Sequence, residues 1–216
     1  MVLPGGMVDQ AVRLAIACHD LGKLNRRWQS WAQAWQTLLW KQQGRPPYQL
    51  PSSSFCFAKT DNNYSPQQRE LQREVNPKRP HHACESVAIG RKLIGTSLGI
   101  TTTSGKEYIP VLRAVCGAIA RHHTSQASEY GPAILDGNAL KEAEEALQVS
   151  HQGKEWNYEV SLLVSSISKG DDLAPPTASK PKLTRPEWES GRLGELETWL
   201  YFVIVRALRL ADQRAG

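Results

Sequence analysis

The stretch AIACHDLGKLNRRWQ, residues 15–29, decides how the rest of the chain is read. It ends an apolar helical pattern with a histidine and an aspartate side by side, and a Gly-Lys pair follows at once. Val8, Val12, Ala15, Ile16 and His19 recur at helical spacing over residues 7–21, so His19 falls on a stripe that should pack into a core. A buried carboxylate without a partner costs several kcal/mol. His19 and Asp20 therefore call for partners elsewhere in the chain.

Outward from this stretch, helix follows helix. Asn25 is placed to cap a second helix carrying Trp28, Trp31 and Trp35 at i, i+3 and i+7. Such a tryptophan stripe reads as core, not as a platform for bases. Residues 43–80 change character. GRPPYQLPSSS and DNNYSPQQ are rich in Pro, Ser and Asn, which predicts a long loop with one short helix near 66–75. Pro80 reads as the first-turn proline of a helix over about 80–95, with His82, Ser86, Ile89 and Leu93 on one face. Pro110 opens the next helix, where Val111, Leu112, Val115 and Ile119 lead to His122 and His123.

Residues 137–150 and 155–168 read as further helices, and the Pro/Lys/Ser-rich residues 169–187 as a long loop. The last helix, over about 190–213, aligns Tyr201, Val205, Leu208 and Asp212. There is no strand pattern of length and no internal repeat. The expected fold class is all-α: a single helical bundle over residues 1–216 with long irregular loops.

Bulk properties exclude several classes. A chain of 216 residues can bury one sizeable core. No apolar run reaches the length of a membrane span, and MVLPGGMVDQ lacks the layout of a signal peptide. Cys18, Cys56, Cys84 and Cys116 form no CxxC pair, which argues against a thiolate zinc site and fits reduced cysteines in a cytoplasmic protein. A net charge of +5 is compatible with a polyanionic partner.

Four predicted helices thus present metal-capable groups where apolar periodicity predicts burial: His19 with Asp20, His82, His122 with His123, and Asp212. Each alone has a plain explanation. A single histidine on an apolar face is usually a hydrogen-bonded core residue, and Asp212 can pair with Arg209 or Arg214. Cys18 and Cys84 read as small core fillers, and His151 in VSHQGKE as a surface residue. His81 points away from the Ile89/Leu93 face, so His82 is the better ligand. Taken jointly, imidazole and carboxylate groups suit one or two divalent transition metals (manganese, nickel, cobalt or iron) better than magnesium. A carboxylate such as Asp20 can bridge two ions, and a two-metal site can clamp a phosphate.

The order His-Asp, His, His-His, Asp resembles that of the HD superfamily of metal-dependent phosphohydrolases, whose signature is the HDLGK of residues 19–23. HDLGKLNRRWQ with its aromatic-Gln pair, HACES at 82–86 and the terminal ALRLADQRAG are similar to one branch, the HD nuclease of CRISPR type I systems. The resemblance spans residues 15 to 216, with the long loops unmatched. It implies a two-metal endonuclease for single-stranded DNA in antiviral defence, working with a helicase subunit or domain and a CRISPR surveillance complex. It also implies His19, Asp20, His82, His122, His123 and Asp212 as metal ligands, and Lys23 beside the scissile phosphate. Asp20 and Lys23 are then the catalytic pair.

Arg26, Arg27, Lys78 and Arg79 would guide the strand without reading bases. The family normally carries a further histidine on a helix upstream of the HD pair. Here no histidine precedes His19, so the site of His19, Asp20 and Asp212 is expected to lack one ligand. No GxxxxGK[ST] phosphate loop is present, which points to a stand-alone nuclease subunit or a domain cut from a longer chain.

Two other readings compete. An HD phosphodiesterase for nucleotides or cyclic nucleotides would carry Gly-Tyr-Pro after the tandem histidines, where this chain has Tyr130-Gly131-Pro132 in another order. A catalytically degenerate HD scaffold would account for the missing histidine, but it has no reason to bury intact ligands on four helices.

Overall fold

Every α-helix and 3-10 turn described below lies in one all-α architecture, as the periodicity predicts. The computed structural model describes residue 3 and residues 5–50, 56–57, 59–60, 66–75, 82–100, 107–123, 135–138 and 195–215. The elements run α1 (Met7–Cys18), a 3-10 turn (Leu21–Leu24), α2 (Arg26–Gln42), a second 3-10 turn (Pro47–Gln49), α3 (Pro66–Val75), α4 (Ala83–Ser97), α5 (Ile109–Ala120) and α6 (Glu195–Ala215). Among the described residues no strand occurs; an isolated bridge joins Asn25 to Leu135.

Local chemistry sets the helix ends. Gly6 precedes α1 at φ 86°, a left-handed conformation that suits glycine. Asn25 starts α2 in extended conformation, and its Oδ1 accepts the Arg27 N–H at 3.0 Å. Pro110 lies in the first turn of α5, where its missing N–H costs nothing.

The main core is built by α1, α4, α5 and α6. It includes Leu14, Val87, Ile89, Ile94, Val111, Ile119, Leu200, Ile204 and Leu208. The faces predicted for α4, α5 and α6 are the ones that pack. The face of α1 is rotated by about one residue from its predicted stripe. Met7, Ala11, Leu14, Ala15 and Cys18 are buried, whereas Ile16 is 39% exposed and Val8 and Val12 lie on the flanks. Small residues let α1 approach its neighbours closely, and Gly90 of α4 sits against Cys18. Close packing outweighed the hydrophobicity of the branched residues.

A second cluster gathers Trp28, Trp31, Ala32, Trp35 and Leu39 of α2 with Phe57, and Leu71 and Val75 of α3 pack onto it. The tryptophan stripe is therefore core, as predicted.

The helix α4 begins at Ala83, a little after the expected start near residue 80. The His82 carbonyl accepts the Ser86 N–H at 2.8 Å and so opens the first helical turn, leaving His82 itself at the N-cap. The helix predicted near 66–75 is α3. Pro80, the helix at 155–168, most of that at 137–150 and the loop at 169–187 lie outside the described residues.

Candidate metal centre

The candidate site is assembled where α1 stops. His19 and Asp20 occupy the turn after Cys18, and the Leu21–Leu24 turn follows directly. This turn is clamped to the start of α4. The Gly22 N–H donates to Ser86 Oγ at 2.7 Å, and the Ser86 hydroxyl donates to the His82 carbonyl at 2.9 Å. Gln29, buried on α2, donates to the carbonyls of Lys23 at 2.8 Å and Phe57 at 2.9 Å, and its Oε1 accepts the Phe57 N–H. Trp28 packs edge-on against the His82 ring at 6.3 Å between centroids. The Trp-Gln pair thus braces the signature turn from below, while Ser86 locks it from the side.

Asp20 lies between two sets of ligand atoms. Its Oδ1 is 3.2 Å from His82 Nε2 and its Oδ2 is 3.4 Å from His19 Nε2. Lys23 Nζ meets the same Oδ2 at 2.7 Å and lies 5.7 Å from the centre of the Trp28 ring. His123 Nε2 faces His82 Nε2 at 3.1 Å. Asp212 Oδ1 reaches back from α6 to His19 Nε2 at 3.2 Å and forms no ion pair with Arg209 or Arg214. Two groups result, each with its ligand atoms within 4.8 Å of one another: Asp20, His82, His122 and His123; and His19, His122 and Asp212. The first is the set expected from sequence. The second differs from expectation, because His122 joins it and Asp20 meets it only through His19. The cause is the position of the His122 ring, 5.2 Å from His19 and 5.6 Å from His82 by ring centroids.

These donors fit a divalent ion. His122 Nδ1–H donates to the Ile119 carbonyl at 2.6 Å, and His19 Nδ1–H to that of Ile16 at 2.7 Å. Each bond fixes the tautomer and leaves Nε2 with a free lone pair aimed into the site. His122 Nε2 is buried with no hydrogen-bond partner, and the buried Asp20 Oδ1 has only the 3.2 Å contact to His82 Nε2. Orphaned buried acceptors are costly, and a cation between them would satisfy both.

Electrostatics agree with ligand duty. Burial alone would raise the Asp20 pKa, but the approach of His82 and His19 and the Lys23 ammonium outweigh it and hold the carboxyl well below the usual carboxylate range. Burial lowers His82 despite Asp20 beside it. Burial, with repulsion from His123 and His19, pushes His122 down to about 4, and burial with His82 nearby does the same for His123. Both rings are neutral at pH 7, the form that ligates a metal.

The same shifts predict acid lability. Between pH 6.5 and about 4 the unfolded chain takes up protons that the folded imidazoles refuse. Stability is therefore full above the unfolded value and falls as pH drops through that window, by about 1.4 kcal/mol per pH unit for a fully buried ring such as His122. His123 is less deeply buried than His122 and contributes less. Urea titrations of the metal-free protein at stepped pH should show this decline, and His122→Ala should flatten it. A native profile level down to pH 4 would contradict the burial of the ring.

Arg26 and Arg27 are exposed at the start of α2, directly after the signature turn. Lys78, Arg79, His81 and His151 lie outside the described residues. Sequence reasoning missed Gly22, against which the His82 backbone lies. It also missed the bracing role of Gln29, whose only signal was its place after Trp28 in the signature stretch.

A family model described as "Cas3, HD domain" matches residues 3–185. The matched span takes in His19, Asp20, His82, His122 and His123 and ends before Asp212. No curated protein and no solved structure matches the chain.

Proposed function

The chain belongs to the Cas3 HD-domain family, and from that premise we propose that it is a metal-dependent endonuclease that cuts single-stranded DNA in CRISPR interference. The observation that carries this reading is the convergence of ligand atoms from Asp20, His82, His122 and His123 within 4.8 Å, with His122 Nε2 buried and without a hydrogen-bond partner. His82, His122, His123 and Asp20 would hold one ion, and His19, Asp212 and Asp20 would hold a second. Manganese, nickel, cobalt or iron suits this donor set better than magnesium. Divalent ions bound there supply Lewis-acid polarisation of a phosphate and acidify a water.

The protein's own residues orient and neutralise. The carbonyls of Ile16 and Ile119 keep His19 and His122 in the ligating tautomer. The Lys23 ammonium, held on Asp20 Oδ2, is placed to offset charge that develops on a phosphate oxygen. Arg26 and Arg27, with Lys78 and Arg79, draw the strand in through its phosphates, independent of base sequence. A helicase subunit or domain and a surveillance complex deliver that strand. The four cysteines form no disulfide, and the cytoplasm is the compartment that suits them. No described helix is long and apolar enough to cross a membrane.

The test is cleavage of labelled single-stranded and duplex DNA with each metal and with chelator. Cutting of the single strand with a transition metal and none in chelator is expected. Hydrolysis of cyclic dinucleotides with DNA left intact would assign the site to a phosphodiesterase. No hydrolysis and no metal uptake under saturating manganese would assign it to a scaffold.

Metal stoichiometry follows from the histidines. His122 stands in both ligand groups but has one free nitrogen, since its Nδ1–H is committed to Ile119. Once Nε2 serves the four-residue group, the other retains only His19, Asp212 and the shared Asp20. Elemental analysis after dialysis should therefore find about one ion per chain. Cleavage should rise further with added metal, well above the concentration that fills the first site. Two ions retained through dialysis would show that the second shell is complete.

A further inference from the structure

The outward face of α6 combines features that the metal centre does not use. Trp199 is 52% exposed and Phe202 62%, although the opposite face of the helix buries Leu200, Tyr201, Ile204 and Leu208. Arg206, Arg209 and Gln213 continue the same outward line at i+7, i+10 and i+14 from Trp199, and all three are exposed. Arg206, Arg209 and Arg214 form no ion pair among the described residues. Among the described side chains this face carries no carboxylate: Glu197 is buried and Asp212 turns to His19. The line runs two exposed aromatic rings, then two exposed guanidinium groups, then the turn that carries Asp212 into the candidate site. At a rise of 1.5 Å per residue, Trp199 to Asp212 spans about 20 Å.

We propose that this face of α6 is a track for single-stranded nucleic acid, on which Trp199 and Phe202 stack bases while Arg206 and Arg209 hold phosphates on the way to the metal centre. The inference rests on the nuclease reading above and adds to it the surface that feeds the site. Large exposed rings at this density are unusual on a soluble helix and mark an interaction surface. The arginines, with no carboxylate among the described side chains of this face, select a polyanion as the occupant. Bases of every kind present a face to an aromatic ring, so stacking tolerates any sequence, and phosphate contacts do the same. A duplex keeps its bases stacked on one another, so the rings add nothing to its binding. The track therefore favours single strands.

Binding of a labelled oligothymidine is measured by fluorescence anisotropy on the whole chain in chelator, where no cutting intervenes. The double variant Trp199→Ala/Phe202→Ala should weaken binding at least about tenfold. Trp199→Phe should keep most of the affinity, because a ring remains. Arg206→Ala/Arg209→Ala should lower the slope of log affinity against log salt by about 1.4, the loss of two phosphate contacts. Arg13→Ala, which removes an exposed arginine paired with Asp9 on α1, should change neither. Circular dichroism confirms that each variant is folded. Unchanged affinity and slope in both double variants would overturn the proposal. Unchanged affinity with a shift in sedimentation would overturn it too, and would assign the face to a protein partner. Because the assay holds no metal, it is separate from the nuclease reading. A chain that binds through this track yet cuts nothing with any metal would refute only the latter.

Discussion

Replacing Asp20 by alanine is expected to abolish cleavage and to strip metal from the protein, with a larger effect than any single histidine substitution. Asp20 alone presents one oxygen to each ligand set, Oδ1 toward His82 and Oδ2 toward His19. Removing a residue that merely orients a ligand costs about 10–100-fold in metal affinity or activity. Loss of a carboxylate that lies between the two candidate ligand sets should exceed that range. Asp20 is half-buried and sits in a turn, so truncation leaves the core of α1, α4, α5 and α6 in place. Asp20→Asn separates charge from shape. It keeps the side-chain volume, removes the charge that pairs with Lys23 at 2.7 Å, and should lose metal nearly as completely. His19→Ala should lower only the weaker occupancy, since His19 is absent from the four-residue group. His151→Ala should change nothing measurable. Elemental analysis and a cleavage assay on the same preparations decide the matter. Equal metal content in the Asp20 and His19 variants would remove Asp20 from its bridging position.

What the sequence disclosed and what it concealed divide along the range of the physics involved. Asn25 and Pro110 were legible because capping and first-turn preferences act within a few residues. The faces of α4, α5 and α6 were legible because burial of Ile, Val and Leu at a 3.6-residue period is a strong signal. The His and Asp pattern was legible as chemistry, because such groups have no cheap way to be buried singly. The orientation of α1 was not legible from hydrophobicity. Its packing face is the one with Ala11, Ala15 and Cys18, and small residues are chosen by the distance to the neighbouring helix, which no single segment encodes. The sharing of His122 between two groups was hidden for the same reason. Whether a ring faces one cluster or both depends on where α1 and α4 come to rest around the end of α5.

Gly22→Ala is the substitution whose consequence belongs most completely to the fold. Nothing in the backbone angles of this HDLGK glycine demands glycine. What demands it is the start of α4. A Cβ at residue 22 would overlap the His82 carbonyl oxygen, with the His82 carbonyl carbon at 2.8 Å and the Ser86 nitrogen at 2.9 Å. All three are backbone atoms of a first helical turn, so no flexible side chain can give way. The turn is also pinned on the other side, because Ser86 Oγ accepts the Gly22 N–H while donating to His82. Either the signature turn or the His82 backbone must move, and both carry candidate ligands. The expected result is a loss of about 2–4 kcal/mol of stability, in the range of severe overpacking. At this chain length that is a fall in Tm of roughly 5–15 °C. Metal uptake should collapse with it, although no ligand has been altered. Ser86→Ala provides the comparison. It removes two hydrogen bonds but introduces no clash, so it should cost about 1–3 kcal/mol and weaken metal binding less. A Gly22→Ala protein that melts and binds metal like the native chain would show that the signature turn does not rest on α4. The pairing of Asp20 with His82 would then have no structural basis, because that contact is what holds the two halves of the four-residue group together.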